Sequence, residues 1–472
     1  MRKGVFLLCL AICILFTLSS VCASDVNDTA IASDNADQVI GEVDDDVASA
    51  SENEDFLSVA DDGTFTSLQK KIDNATSGSE IILENDYVYN EGFSADGINI
   101  SKSLTIDGKG YRLDGDNQAR IFNVIGSSVV FKDIIFVNGK TTGSGGAIYG
   151  GCTVINCTFT NNNATLGGAV NYHSGMELSA INCIFNNNLA NEGGAMYGGS
   201  AVNCTFAGNI AEHDGGAIFN GSAINCTFIG NTATHHGGAI HTGDGDFSAE
   251  DCTFVGNSAD GGGATYGIDV VRCIFTNNTS TCDGGAVYKG DASDCTFTGN
   301  IAERDGGAIF YGGAINSTFI GNTAKDHGGA IHTGDDDFSA EDCTFIGNTV
   351  FRYGGGATYG VDAINCIFTN NTSLYDGGAM YGKVKATNCN FTGNHAENEG
   401  GDGYDVNFNN CNFINNTEYK NSFKALHDLI YNCGSTLELD RDYYFHDGVM
   451  TILVLMELKS IKALLLMEKD IL

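Results

Sequence analysis

The chain has 472 residues with 63 glycines, no proline and no tryptophan, and its 59 acidic residues against 23 basic ones give a formal net charge of −36. Such a field opposes approach to phosphate backbones and argues against a nucleic-acid binder, and glycine without proline excludes collagen and proline-rich linkers. A hydrophobic fraction of 42%, with 28 phenylalanines, offers enough apolar surface to offset the entropy of ordering a core.

Arg2 and Lys3 precede an uncharged stretch from Gly4 to Val21 that closes on Val21-Cys22-Ala23. This is the basic, apolar, small-residue order of a secretory signal peptide, read here as residues 1–23. The apolar run is barely long enough to cross a bilayer, so no membrane span is expected in the mature chain. Residues 24–62, with Asp44-Asp45-Asp46 and no apolar period, read as an acidic linker or propeptide. Over 63–143, Phe65, Leu68 and Ile72 at helical spacing, then strand-like Ile81 to Leu83 and Leu104-Thr105-Ile106, predict an N-terminal cap and the first irregular coils.

The segment 144–418 is a repeat. Gly-Gly-Ala begins at Gly145, Gly167, Gly193, Gly215, Gly237, Gly262, Gly284, Gly306, Gly328, Gly355 and Gly377, mostly 22 or 23 residues apart. Between these lies a second signature, as in Ile155-Asn156-Cys157-Thr158-Phe159-Thr160-Asn161-Asn162. Its alternation of apolar and polar residues has the period of a half-buried strand. A unit this short with several strands and Gly or Asn corners predicts an all-β fold, a right-handed parallel β-helix in which each repeat is one coil. Stacking then places Phe159, Phe185, Phe206 and Phe228 in a lumenal column and Cys157, Cys183, Cys204 and Cys226 in another, with Ser317 replacing Cys once. It also stacks Asn162, Asn188, Asn209 and Asn231 in a corner column expected to tolerate left-handed backbone and chain its amides. Residues 204–263 match 295–354, which points to block duplication. Residues 419–448 repeat the pattern of the cap and read as the start of an incomplete second module. Residues 449–472 form an atypical tail, expected from a truncated or frame-shifted gene, with an amphipathic tail helix as the alternative.

The signatures Gly215-Gly216-Ala217-Ile218 and Phe228-Ile229-Gly230-Asn231 resemble the repeats of chlamydial polymorphic outer-membrane proteins. The arrangement of acidic leader, capping segment and coils resembles the adhesin-like surface proteins of methanogenic archaea. The resemblance implies a pectin lyase-like solenoid that is secreted, displayed at the cell surface and adhesive. The function expected is therefore a non-catalytic rod that attaches or spaces, with cell-surface glycans or neighbouring cells as partners. The alternative is a β-helix polysaccharide lyase or glycoside hydrolase.

Chemistry is sparse in the sequence. The ladder cysteines can pack as small buried thiols, while Cys152, Cys282 and Cys433 lie off the ladder. His236 and His241 recur as His327 and His332, followed by Asp244 and Asp246 or by Asp335-Asp336-Asp337, and such groups can hold a divalent ion. Duplication explains their recurrence more simply. Asp335 to Asp337 resemble the acidic motif of polygalacturonases, yet Arg272, Arg304 and Arg352 sit apart instead of forming the accompanying basic motif. No catalytic, cofactor-binding or metal residue is assigned and no cofactor is expected. Sequons at Asn74, Asn163, Asn220, Asn278 and Asn415 make surface glycosylation plausible, with Asn203 expected on a strand.

Overall fold

The structure is a computed structural model and describes residues 61–125, 128–172, 177–243, 247–334 and 338–418. The predicted signal peptide, all but the end of the acidic linker, the module at 419–448, the tail and Cys433 lie outside the described residues.

Helix α1 (Phe65–Asn74) opens the described chain. Thr64 caps it, its side chain accepting from the Ser67 N–H while the Ser67 hydroxyl takes the Thr64 N–H. Phe65, Leu68 and Ile72 form its buried face, as their spacing predicts, and the helix packs on strands Tyr87–Val88 and Ile98–Ile100. Behind it the chain winds into a parallel β-helix of about 14 turns. Its strands form sheets of 27, 15 and 11 strands, the largest combining two strands of most coils.

One coil shows the plan. Gly215 turns the chain at φ 65°, and strands Ile218–Phe219 and Ser222–Ile224 follow. Asn225 makes a corner at φ 51°, Cys226 turns inward, and strand Thr227–Ile229 buries Phe228. Gly230 makes the next corner at φ 58°, Asn231 is buried, and Thr232–Ala233 completes the coil. The second glycine of each pair serves close approach. A Cβ on Gly216 would stand 2.0 Å from the Gly238 carbonyl oxygen of the next coil, so no side chain fits there.

Parallel pairing in strict register puts like on like. Phe206 pairs with Phe228 and Phe228 with Phe254. Successive rings from Phe136 to Phe391 lie 4.7–4.9 Å apart and within 9° of parallel. Aromatic pairs left free prefer offset or edge-on arrangements. Here the strand spacing of about 4.8 Å imposes the stack. The column continues towards α1 through Leu113 and Tyr87, members that the sequence signature missed because the residue type changes.

The asparagine column is buried and fully paired. Asn209 Nδ2 donates to Asn231 Oδ1 at 2.9 Å and to the Phe185 carbonyl at 2.9 Å, and the Asn209 N–H donates to the same Oδ1 at 3.0 Å. This pattern passes from coil to coil between Asn162 and Asn416. The expected left-handed backbone is not in this column. It lies one residue earlier, at Asn161 (φ 56°) or Gly230 (φ 58°), and at the corner before cysteine, as at Asn156 (φ 52°). An inward amide is aimed along the axis from ordinary backbone, while the turn itself falls to the neighbouring Asn or Gly, residues for which positive φ costs little.

The cysteines do more than fill space. Cys226 Sγ accepts the Cys204 N–H at 3.3 Å, and its single S–H is shared between the carbonyls of Ala201 and Ile224, 3.4 and 3.3 Å away. A thiol thus satisfies a buried corner amide that strand pairing leaves over. Ser317 does the same, accepting from the Cys295 N–H at 3.1 Å and donating to the Ile315 carbonyl at 2.8 Å. The thirteen cysteines among the described residues are all free. Off the ladder, Cys152 is buried on strand Cys152–Ile155, and half-buried Cys282 donates to Asp260 at 3.2 Å.

Two predictions follow from these columns. Asn231→Ala strands two donors of Asn209 and the Phe206 carbonyl, and is expected to cost about 3 kcal/mol, read as a lower denaturation midpoint and faster amide exchange at Asn209. Cys226→Ser, which keeps both donor and acceptor, is expected to stay within about 1 kcal/mol of wild type while Cys226→Ala loses about 2 kcal/mol; equal losses in a urea titration would refute the thiol's hydrogen-bonding role.

Candidate functional site

From Gly193 onward, the outward residue of the strand after the paired glycines forms an aromatic and imidazole column: Tyr197, Phe219, His241, Tyr266, Tyr288 and Phe310, continuing to Tyr404. Ring centroids are 4.9–5.2 Å apart from Phe219 to Tyr404. Most of the rings are half-buried. Where they stack, their faces cover one another along the axis and their edges meet solvent. A sugar therefore meets edges and Tyr hydroxyls along most of this stripe, not open ring faces.

A second column runs beside it at the residue preceding each Gly-Gly. Glu192, Asp214, His236 and Gly261 stack in that order, and Asp305, His327, Gly354 and Asp376 repeat the arrangement one block later. The two columns meet at the histidines. His236 Nδ1 lies 3.0 Å from Asp214 Oδ1 in the preceding coil, and the ligand atoms of Asp214, His236 and His241 all fall within 4.8 Å of one another. Tyr266 of the next coil lies 4.5 Å from the His236 ring and 4.9 Å from the His241 ring, and Phe219 stacks on His241 from the other side. In the duplicated block, His327 Nδ1 is 2.7 Å and His332 Nδ1 3.9 Å from the Asp305 carboxylate, with Tyr359 and Phe310 as walls.

Burial and pairing set the charges. Burial pushes His241 down to about 4, so its imidazole is neutral at pH 7. Burial acts most strongly to raise Asp214 and Asp305, but hydrogen bonds to His236 and His327 together with the attraction of the neighbouring histidines when protonated outweigh it and hold both carboxyls below the usual value. Asp283 has no such histidine. Burial, with Asp305 in the next coil and against the pull of Arg304, raises it to about 6, and its Oδ1 has no hydrogen-bond partner among the described residues.

The structure thus brings together the predicted His236 with His241 and His327 with His332, and adds Asp214 and Asp305, which sequence reasoning passed over. The signal was present: Asp214 and His236 both immediately precede a Gly-Gly, so register alone stacks them. Asp244, Asp246 and Asp335 to Asp337 lie outside the described residues. Arg272 pairs with Asp251 and Glu250, Arg304 with Asp283 and Arg352 with Asp326, each in a separate coil. Lys289 sits over the rings of Tyr266 and Tyr288 at 5.6 and 5.7 Å, beside a concavity of about 360 Å³ lined by Asp269, Asp291, Tyr311 and Phe338. Among the sequons, Asn278 is fully buried in the amide ladder and unavailable to a glycosyl carrier. Asn203 occupies a left-handed exposed corner (φ 55°) and not a strand, because the strand ends at Val202.

Raised Asp283 favours its protonated form in the folded chain. Stability held at pH 4 is therefore lost as pH rises through about 6, by roughly 2 kcal/mol at this site. Asp283→Asn is expected to remove that loss, seen as a wild-type-minus-variant difference in denaturation midpoint that grows between pH 4 and pH 7.

Six segments, 203–221, 225–243, 272–289, 294–312, 316–334 and 365–383, match the Chlamydia polymorphic membrane protein repeat. No curated protein matches the chain. Among solved structures it is similar to tailspike protein 3 of bacteriophage CBA120, at 13% identity and TM-score 0.33, covering 74% of this chain and 58% of the tailspike. It is also similar to the alginate lyase AlyF-OU02 (11%, TM-score 0.25, 74% and 81% covered) and to the A-module of the Azotobacter vinelandii mannuronan C-5 epimerase AlgE6 (13%, TM-score 0.25, 75% and 94% covered). The chain thus spans little more than half of the tailspike, and likenesses this distant carry no argument about activity.

Proposed function

We propose that this chain is a secreted, surface-displayed adhesin-like β-helix that works by attachment or spacing and not by turnover. The observation that carries this reading is the polymorphic membrane protein repeat, which recurs along the coils and is a repeat of surface-exposed proteins. The geometry supports it in two ways. Outward side chains recur along the coils and present a long periodic face suited to extended contact. Arg272, Arg304 and Arg352, which a polyuronate-cleaving site would gather, are each paired with a local carboxylate. Cell-surface glycans or neighbouring cells are the proposed partners, and the tyrosine hydroxyls, Lys289 and the carboxylates of the outer columns supply hydrogen-bonding groups for them. Among the described residues no helix is long and apolar enough to cross a membrane, which says nothing of a β-barrel.

The test pairs a glycan array and whole-cell binding of the full chain with reducing-end and unsaturated-uronide assays on polyuronates. Retention on selected surfaces with no new chain ends is the expected result; release of ends without stable binding would replace this reading with a carbohydrate-active enzyme.

A further inference from the structure

We infer that Asp214, His236 and His241 form a binding site for a divalent first-row transition metal ion, and that duplication copied it as Asp305, His327 and His332. Three observations on independent features of the molecule lead there.

The first is donor chemistry. Two imidazole nitrogens and one carboxylate oxygen suit zinc, cobalt or nickel, whereas calcium and magnesium take oxygen ligands. Ligand atoms around such an ion stand roughly 3.3 Å apart in tetrahedral geometry. The 3.0 Å separation of Asp214 Oδ1 and His236 Nδ1 is already close to this, and the third donor lies within 4.8 Å. Closing the set requires the Asp214 and His236 side chains to turn towards the held His241 ring, and water can fill the remaining position because the His236 side chain is 43% exposed.

The second is an unmet polar atom. His241 Nδ1 is buried and has no hydrogen-bond partner among the described residues, and a ring nitrogen of the same residue lies within 4.8 Å of the Asp214 and His236 ligand atoms. Leaving such an atom unpaired costs about 1–3 kcal/mol, a cost that ligation removes.

The third is the surroundings. Phe219 and Tyr266 hold the His241 ring between them and limit its rotation. Directly beyond His236, the column places Gly261, where a Cβ would come 3.1 Å from His236 Cδ2. In the second block Gly354 again follows His327, and Phe310 and Tyr359 stand about His332, while Tyr353 adds a ring stacked on His327 at 4.7 Å. The carboxylate, both imidazoles and the aromatic walls therefore recur together, with the second set more enclosed by Tyr353.

Cobalt(II) titration of the chelator-treated full chain tests this, because visible d–d bands report the coordination geometry directly. Two equivalents binding with nitrogen and oxygen ligation are expected. His236→Gln or His241→Gln should each remove one equivalent, and His327→Gln or His332→Gln the other, with unchanged circular dichroism. Excess calcium should not displace the metal, which separates the site from diffuse attraction to an acidic surface. Undiminished binding in a His236→Gln, His241→Gln double variant would overturn the inference, as would ultraviolet bands showing thiolate ligation. A single equivalent lost only with the first pair would confine the site to the first block and overturn its duplication.

Discussion

Every coil sits on a near copy of itself, 4.8 Å or so away, and the side chains of the solenoid must be compatible with their own images. A group that repels itself, or that has a donor without an acceptor, fails when stacked. The buried asparagine and cysteine ladders obey this condition. An asparagine amide carries two donors and two acceptor sites and can both give and receive along the axis, which is what the column from Asn162 to Asn416 does. A thiol or hydroxyl combines one donor with acceptor capacity, and so Cys226 and Ser317 fill equivalent places. Phenylalanine stacks because its image lies at van der Waals contact.

The same condition acts outside with the opposite sign. A column of carboxylates would set like charges at every coil. In the column before Gly-Gly, histidine and glycine interrupt the acids: Asp214, His236 and Gly261, then Asp305, His327 and Gly354. Acids still meet at Glu192 and Asp214 and at Asp283 and Asp305, and at the second pair part of the consequence is the raised Asp283. Pairing with histidine relieves repulsion and at the same time gathers carboxylate and imidazoles at one place, so a structural solution and a metal-ligand set share the same residues.

Much of the fold was legible in the sequence because the period was. The Phe, Cys and Asn columns, the paired glycines and the helical spacing of Phe65, Leu68 and Ile72 all appear where the pattern placed them. Tyr87 and Leu113 escaped because a column is defined by register and not by residue type. The left-handed corners were misplaced by one residue, since sequence shows that Asn recurs but not which Asn points inward. The site was half legible: the histidines drew attention together with the acids that follow them, Asp244 and Asp335, whereas Asp214 and Asp305 arrive from the coil before.

By itself the sequence determined the solenoid and its strand alternation, because a repeat of 22 or 23 residues with self-compatible side chains has few other ways to bury its apolar face. Only the tertiary structure decided which atoms meet between coils: that ladder thiols satisfy corner amides, that Asn278 is sealed within the amide ladder, and that Asp214 stands against His236. The reason is physical. Period is a property of one strand and can be read along it, whereas these contacts cross between coils, where a shift of one residue in register exchanges inside for outside.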